Sequence, residues 1–279
     1  MSSERREHPP TPLEAEAHDA RGSGEALASP NGNRVRSASA TAPSRLSGLT
    51  IFLPSYNEEG NVERVVRGFL AETPKVAEDF EILVIDDGSR DRTAEIAARL
   101  AAENPRVRLA RHGLNRGYGC ALATGFKTAR QPYVLLCDGD GQFDPADMAR
   151  LTAIIGNYDV VIGRRARRAD HLMRRINGKA WTMLSRLLFG LSVTDMDCGF
   201  KLFRREIVAG LELHASGAMI TTELMARLAG RKARIAEVDV THLPRIAGVQ
   251  GGNSPSVIIG AFRDLLSLYW ELKRARYGE

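Results

Sequence analysis

Leu49-Thr50-Ile51-Phe52-Leu53-Pro54-Ser55-Tyr56-Asn57-Glu58-Glu59 begins the periodic part of the chain. Residues 49–53 form a continuous apolar run with no polar alternation, which reads as a short strand buried on both faces and stopped by Pro54. Val62, Val65, Val66, Phe69 and Leu70 then recur at helical spacing, and Asn57, Glu58 and Glu59 suit a helix N-terminus, so a helix is predicted over 57–70. The same strand–polar turn–helix unit repeats toward the C-terminus. Strands are predicted over 81–85, 107–110, 133–137 and 159–162, with helices over 91–104, 119–129 and 145–155 between them. The expected fold is therefore α/β, a Rossmann-like and mostly parallel sheet with helices on both faces. Ligands of such sheets bind beyond the carboxyl ends of the strands.

Those ends carry the polar residues. The first gives Pro54-Ser55-Tyr56-Asn57-Glu58-Glu59, the second Asp86-Asp87-Gly88-Ser89, the third Asn115-Arg116-Gly117-Tyr118-Gly119 and the fourth Asp138-Gly139-Asp140-Gly141-Gln142. In extended chain alternate residues point the same way, so Asp138, Asp140 and Gln142 can converge. Their oxygens are hard ligands suited to Mg²⁺ or Mn²⁺ bridging a pyrophosphate. Tyr56 can stack on a base, and Glu58 or Asp86 can accept from base or ribose donors. Gly117 and Gly119 let backbone approach a ligand before a helix. Asp and Gly after a strand are also ordinary turn formers, but four consecutive ends of this kind favour a binding site.

After residue 163 the pattern changes. An amphipathic stretch covers 172–191, strands are predicted over 199–204 and 234–242, a helix over 222–229, and a C-terminal amphipathic helix over 257–277. The glycine-rich stretch 248–256 separates the last two elements. The domain division predicted is a disordered tail over 1–47, rich in Ser, Ala, Pro, Glu and Arg, a domain over 48–252, and the helix over 253–279.

Composition narrows the class. No apolar run reaches the roughly 18 residues of a membrane span, and no signal peptide is predicted. Cys120, Cys137 and Cys198 are scattered, which fits a reducing cytoplasm rather than a disulfide framework. The formal net charge of +5 is matched by one segment, where Arg164, Arg165, Arg167, Arg168, Arg174 and Arg175 stand against Asp170 alone. Such a patch suits an anionic partner surface, phosphate or lipid headgroups, or is a solvated helix face. No aromatic residues lie among those arginines, which argues against nucleic acid. The C-terminal helix, with Trp270 among apolar residues and then Lys273, Arg274 and Arg276, suits either the inner face of a membrane or packing on the domain.

These motifs together resemble family 2 inverting glycosyltransferases of the GT-A fold, most of all the polyprenyl-phosphate (dolichol-phosphate) mannosyl- and glucosyltransferase group. The matching stretches lie at 54–61, 84–93, 115–126, 135–145, 195–205, 222–240 and 244–248. The resemblance implies a nucleotide-sugar donor, GDP-mannose or UDP-glucose, held by Pro54, Tyr56, Glu58, Val84, Asp86, Asp138, Gly139, Asp140, Arg165 and Lys201. It implies a metal on Asp138, Asp140 and Gln142, catalytic roles for Asp140, Asp195 and Arg245, and a lipid-phosphate acceptor on Arg165 and Arg245. In that group a lysine follows the arginine of the acceptor loop; residues 248–253 here contain none. A hydroxyl acceptor therefore stays open, with Asp140, Asp195, Asp197 or Glu223 as candidate bases. So does a non-catalytic nucleotide-sugar or RNA-binding module. A nucleotidyltransferase is disfavoured, because the turn after the first strand holds two acids and no lysine.

Overall fold

The computed structural model describes residues 45–165, 172–191, 193–215, 219–245 and 265–274. Seven strands form one sheet: β1 (Leu46–Ser55), β2 (Ala77–Asp86), β3 (Val107–Arg111), β4 (Tyr133–Cys137), β5 (Val160–Arg165), β6 (Phe200–Arg204) and β7 (Ile235–Val240). Their order is β3-β2-β1-β4-β6-β5-β7. β1 pairs in parallel with β2 and β4, β2 with β3, and β5 with β7. β6 runs antiparallel to both β4 and β5. The sheet is thus mostly parallel, as predicted. The reversal at β6 is not visible in its sequence, because Phe200, Lys201, Leu202 and Phe203 are all buried, as in a central strand of either direction.

The first half follows the repeating unit. Helix α1 (Val62–Glu72) joins β1 to β2, α2 (Thr93–Glu103) joins β2 to β3, and α3 (Tyr118–Thr128) returns the chain to the other side of β1. The strand order reverses there, which puts the crevice at the ends of β1 and β4. Phe126 of α3 makes edge-to-face contacts with Phe52 of β1 and Phe203 of β6, with ring centroids 5.1 and 5.3 Å apart. A Cβ on Gly125 would fall inside the Phe52 ring, so glycine is what lets α3 lie this close.

Several boundaries differ from the sequence reading. β1 starts at Leu46, inside the stretch expected to be tail, because the Leu46 side chain is buried and its amide donates to Val76 O at 2.8 Å. β1 also runs through Pro54 to Ser55. Pro54 O accepts from Gly139 N, so the Pro54 nitrogen faces the same side, where pairing with β4 ends at Phe52 and no ladder bond is lost. Helix α1 begins at Val62 rather than Asn57. Asn57 has φ 56°, and the amides of 57–59 donate to Ser89, Thr93 and Asp91 instead of opening a helix. Residues 145–157 form a 3₁₀ turn, the short α4 (Met148–Thr152) and a second 3₁₀ turn, not one helix.

Beyond β5 lie α5 (Leu172–Phe189), α6 (Arg205–Val208), α7 (Met219–Gly230) and a helical segment over 265–274. Leu265 and Leu268 of that segment are buried with Met219 and Ala226, against Trp181, Leu184, Leu188 and Phe189 of α5. This face therefore packs on the domain. The glycine-rich stretch 248–256, the expected tail up to residue 44 and the remainder of the 257–277 helix lie outside the described residues. Among the described residues no helix is long and apolar enough to cross a membrane.

Candidate functional site

The carboxyl ends of β1, β2 and β4 meet at one place because their loops hydrogen-bond one another. Asn57 N donates to Ser89 Oγ at 2.9 Å, Glu58 N to Thr93 Oγ1 at 2.8 Å, and Gly139 N to Pro54 O at 3.2 Å. The loop after β3 is drawn in by Asp87, a residue the sequence reading passed over. Its carboxylate accepts from Arg116 N at 3.0 Å and Gly117 N at 2.8 Å, and pairs with His112 Nδ1 at 2.6 Å. Gly117 has φ 89°, which lets the loop turn directly into α3.

Asp138 and Asp140 lie at the centre. The Tyr118 hydroxyl donates to Asp138 Oδ1 at 2.7 Å. Gly199 lies against the other side of that carboxylate, where a Cβ would collide with it. Burial, then the charge of Asp140, raises the Asp138 carboxyl to about 6. Burial and the charge of Asp138 push the Tyr118 phenol well up, so it stays a donor. Asp140 Oδ1 accepts from Gln142 N at 3.1 Å. Glu58 is buried too, and burial raises its pKa against the opposing effects of Asn61 and Arg245. The oxygens of these carboxylates are the donor chemistry that Mg²⁺ or Mn²⁺ takes. Among the described residues no three His, Cys, Asp or Glu side chains form a ready metal cage. The protein ligands of such a site would be drawn from Asp138, Asp140 and the Gln142 amide oxygen, with remaining positions left to phosphate and water.

The Gln142 side-chain NH2 donates to Leu243 O at 3.2 Å, a bond that does not use its amide oxygen, while Leu243 N donates back to Gln142 O at 2.8 Å. These bonds, with the Phe143–His242 bridge, carry the chain beyond β7 to the crevice. Arg245 arrives there, ion-paired with Glu58 and with Nη1 3.4 Å from Asp140 Oδ2.

The other candidates fall into two groups. Tyr56 is exposed just beyond β1, and Gly139 N donates to Pro54 O, while Val84 and Asp86 are fully buried. Val84 lies within β2 and presents no surface to a ligand. Asp86 accepts from Ser89 N at 3.2 Å and Arg111 Nε at 3.2 Å, so it shapes the loop. Lys201 is buried in β6 and donates to Cys198 O; burial lowers its pKa.

Arg165 and Asp195 form a two-point ion pair, 2.8 Å from Nε to Oδ2 and 2.7 Å from Nη2 to Oδ1. Asp195 is thus committed to Arg165 and is not poised as a base. Glu223 accepts from His214 N and Ala215 N and pairs with Arg227, so it fastens the loop before α7 from inside the helix rather than capping its start. Two arginine side chains of the basic segment are described, and both are paired. Arg164 pairs with Asp239 at 2.6 Å, Arg165 with Asp195, and Arg167, Arg168 and the side chains of Arg174 and Arg175 lie outside the described residues.

The chain is 33% identical over 206 residues to the undecaprenyl-phosphate 4-deoxy-4-formamido-L-arabinose transferase of Pectobacterium carotovorum, covering 73% of this chain and 62% of that protein. The chain therefore spans less than two thirds of that relative's length. It is 29% identical over 244 residues to the undecaprenyl-phosphate mannosyltransferase of Micrococcus luteus, covering 82% of this chain and 98% of that protein. Among solved structures, glucosyl-3-phosphoglycerate synthase of Mycobacterium tuberculosis with Mn²⁺, uridine diphosphate and phosphoglyceric acid has the same fold. That match has a TM-score of 0.60 at 20% identity, and covers 81% of this chain and 78% of that one. The sequence profile described as "Glycosyl transferase family 2" matches residues 50–211, more than half of the chain and all four strand-end loops, and the chain belongs to that family.

Proposed function

We propose that the chain transfers a hexose from a nucleotide sugar, GDP-mannose or UDP-glucose, to a polyprenyl-phosphate-type lipid, inverting the anomeric centre in one displacement. The observation that carries this reading is the meeting of Asp138 and Asp140 with Glu58 and Arg245 at the sheet's switch point. The printed names of the relatives from Pectobacterium and Micrococcus support the lipid phosphate as acceptor.

Tyr56, exposed just beyond β1, offers a face for the base. Asp138 and Asp140 would hold Mg²⁺ or Mn²⁺, which when bound neutralises charge on the leaving diphosphate. Arg245 offers a guanidinium fork that suits an acceptor phosphate. A phosphomonoester is largely ionised at neutral pH and needs no protein base. The commitment of Asp195 to Arg165 supports such an acceptor over a hydroxyl.

Approach to a lipid has a candidate surface. Met183 and Leu187 of α5 are 75% and 82% exposed, and Leu266 and Trp270 are 53% and 52% exposed on the 265–274 helix. Lys273 lies over the Trp270 ring at 5.3 Å, and Arg274 follows it. Apolar tips flanked by cations suit an anionic bilayer surface.

The test is transfer from labelled UDP-glucose and GDP-mannose to undecaprenyl phosphate in detergent, with undecaprenol as the hydroxyl control. Label in the phosphate lipid alone is expected. Equal transfer to the alcohol would overturn the acceptor assignment.

A further inference from the structure

Two arginines touch the Asp140–Gly141 stretch of the loop after β4. Arg245 pairs with Glu58 and has Nη1 3.4 Å from Asp140 Oδ2. The other, Arg64, comes from the first turn of α1. Its guanidinium lies against Gly141, where a Cβ would fall on Nη2, and Gly141 holds φ 71°. Arg64 Nη2 is 3.5 Å from Gly141 O and 3.5 Å from Asn61 Oδ1. Both are neutral oxygens at the outer limit of a hydrogen bond, so they place the guanidinium without neutralising it. The next arginine of the same helix differs, because Arg67 pairs with Glu63 and Glu103. Among the described residues Arg64 makes no ion pair, and it is exposed.

Arg64 and Arg245 border one seam. Asn61 Nδ2 donates to Glu58 Oε2 at 2.7 Å, and Arg245 holds Glu58 through Oε1. Across the seam, Arg245 meets Asp140 and Arg64 meets the next residue, Gly141. Gln142, one residue further, is bonded to Leu243 and brings in the segment that carries Arg245. Arg64 therefore lies at the Arg245 end of the loop. The other end is Asp138, where Tyr118 and Gly199 close on the carboxylate.

Charge decides what the Arg245 end can hold. A phosphomonoester carries nearly two negative charges at neutral pH. Arg245 brings one positive charge and already faces two carboxylates. Arg165 is committed to Asp195, and Lys201 is buried on Cys198 O. Arg64 adds a second guanidinium whose partners carry no charge, and such a fork suits phosphate oxygens.

We propose that Arg64 is the second cation of the acceptor site, acting with Arg245 to hold the phosphomonoester of the lipid across the seam between Glu58 and the Asp140–Gly141 stretch. The proposal rests on the lipid-phosphate reading given above and adds a binding residue to it.

The experiment separates acceptor from donor. Steady-state transfer to undecaprenyl phosphate in detergent is measured for the wild type, Arg64→Gln and Arg64→Lys, with whichever of UDP-glucose and GDP-mannose the wild type uses. In parallel, the thermal midpoint of the full chain is titrated with UDP and with GDP in Mn²⁺. In Arg64→Gln the KM for the lipid phosphate is expected to rise roughly tenfold, the scale of one charged hydrogen bond, with kcat within about twofold. The nucleotide-induced rise in midpoint should match the wild type. Arg64→Lys should recover part of the loss, because it restores the charge without the fork. A merely structural role would lower the ligand-free midpoint and disturb donor and acceptor alike. An unchanged KM in Arg64→Gln would overturn the proposal and leave the proposed function standing. Weaker nucleotide binding with an unchanged KM would put Arg64 on the donor diphosphate and overturn it as well. No transfer to undecaprenyl phosphate by a wild type that still binds nucleotide would overturn the lipid-phosphate reading and this proposal together.

Discussion

The two aspartate sites in this molecule are arranged in opposite ways. After β4, Asp138 and Asp140 repel each other, and burial with that repulsion raises Asp138 to about 6. Before β6, Asp195 meets Arg165 through two short hydrogen bonds, both side chains nearly buried. In the first, like charges adjoin and one guanidinium, Arg245, is shared between Asp140 and Glu58; in the second, each charge has its own partner. Like charges gathered in a crevice are what a ligand-binding site looks like before its ligand arrives, while a closed ion pair is the signature of a support.

Mutations should separate the two. Asp140→Ala is expected to lower metal-dependent transfer by about a thousandfold, on the scale seen when a principal charge-stabilising group is lost. Its urea midpoint should hold or rise, because the like charge beside Asp138 is gone; a large loss of stability would erase the contrast. Asp195→Ala should do the reverse in kind, leaving Arg165 buried and unpaired and destabilising the fold by about 3 kcal/mol in urea unfolding. Arg245→Ala lies between them. It should weaken saturation by a lipid phosphate by roughly thirtyfold, about the worth of a charged hydrogen bond, with metal-dependent nucleotide binding retained. The smallest change is expected from Trp270→Ala, within about 0.5 kcal/mol in stability because the side chain is half exposed. Its readout is a few-fold loss of sedimentation with anionic vesicles, and unchanged sedimentation would remove Trp270 from the membrane surface.

The same contrast marks what the sequence could convey. The first half of the fold was legible because strand, turn and helix repeat with short links, and β4 lies where its apolar run predicts, Tyr133–Cys137. The carboxylates of the β4 loop were legible as polar residues directly beyond the carboxyl end of an apolar strand, where ligands of such sheets bind. Partners far along the chain were not. Arg245 reaches Glu58 across 187 positions, Arg165 reaches Asp195 across 30, and Asp87 reaches Gly117 across 30. A sequence names such residues but not the sheet order that joins them. Asn57 misled because its acidic neighbours imitate a helix start, while its backbone adopts φ 56° to meet the β2 loop. For Gln142 the hidden part is the bond of its side-chain NH2 to Leu243 O, 101 positions away. For Asp87 a signal was present: paired aspartates before a glycine leave one carboxylate to face inward, where it can anchor the next loop.

The most direct measurement of the central claim is the thermal midpoint of wild type and Asp140→Ala with UDP or GDP, with and without Mn²⁺. A ligand that binds only the folded chain raises that midpoint by mass action. The predicted result is a rise with one of the two nucleotides only when Mn²⁺ is present, abolished in Asp140→Ala. An equal rise without metal, or one that survives Asp140→Ala, would contradict the assignment of the β4 loop as the cation site of a nucleotide-sugar enzyme.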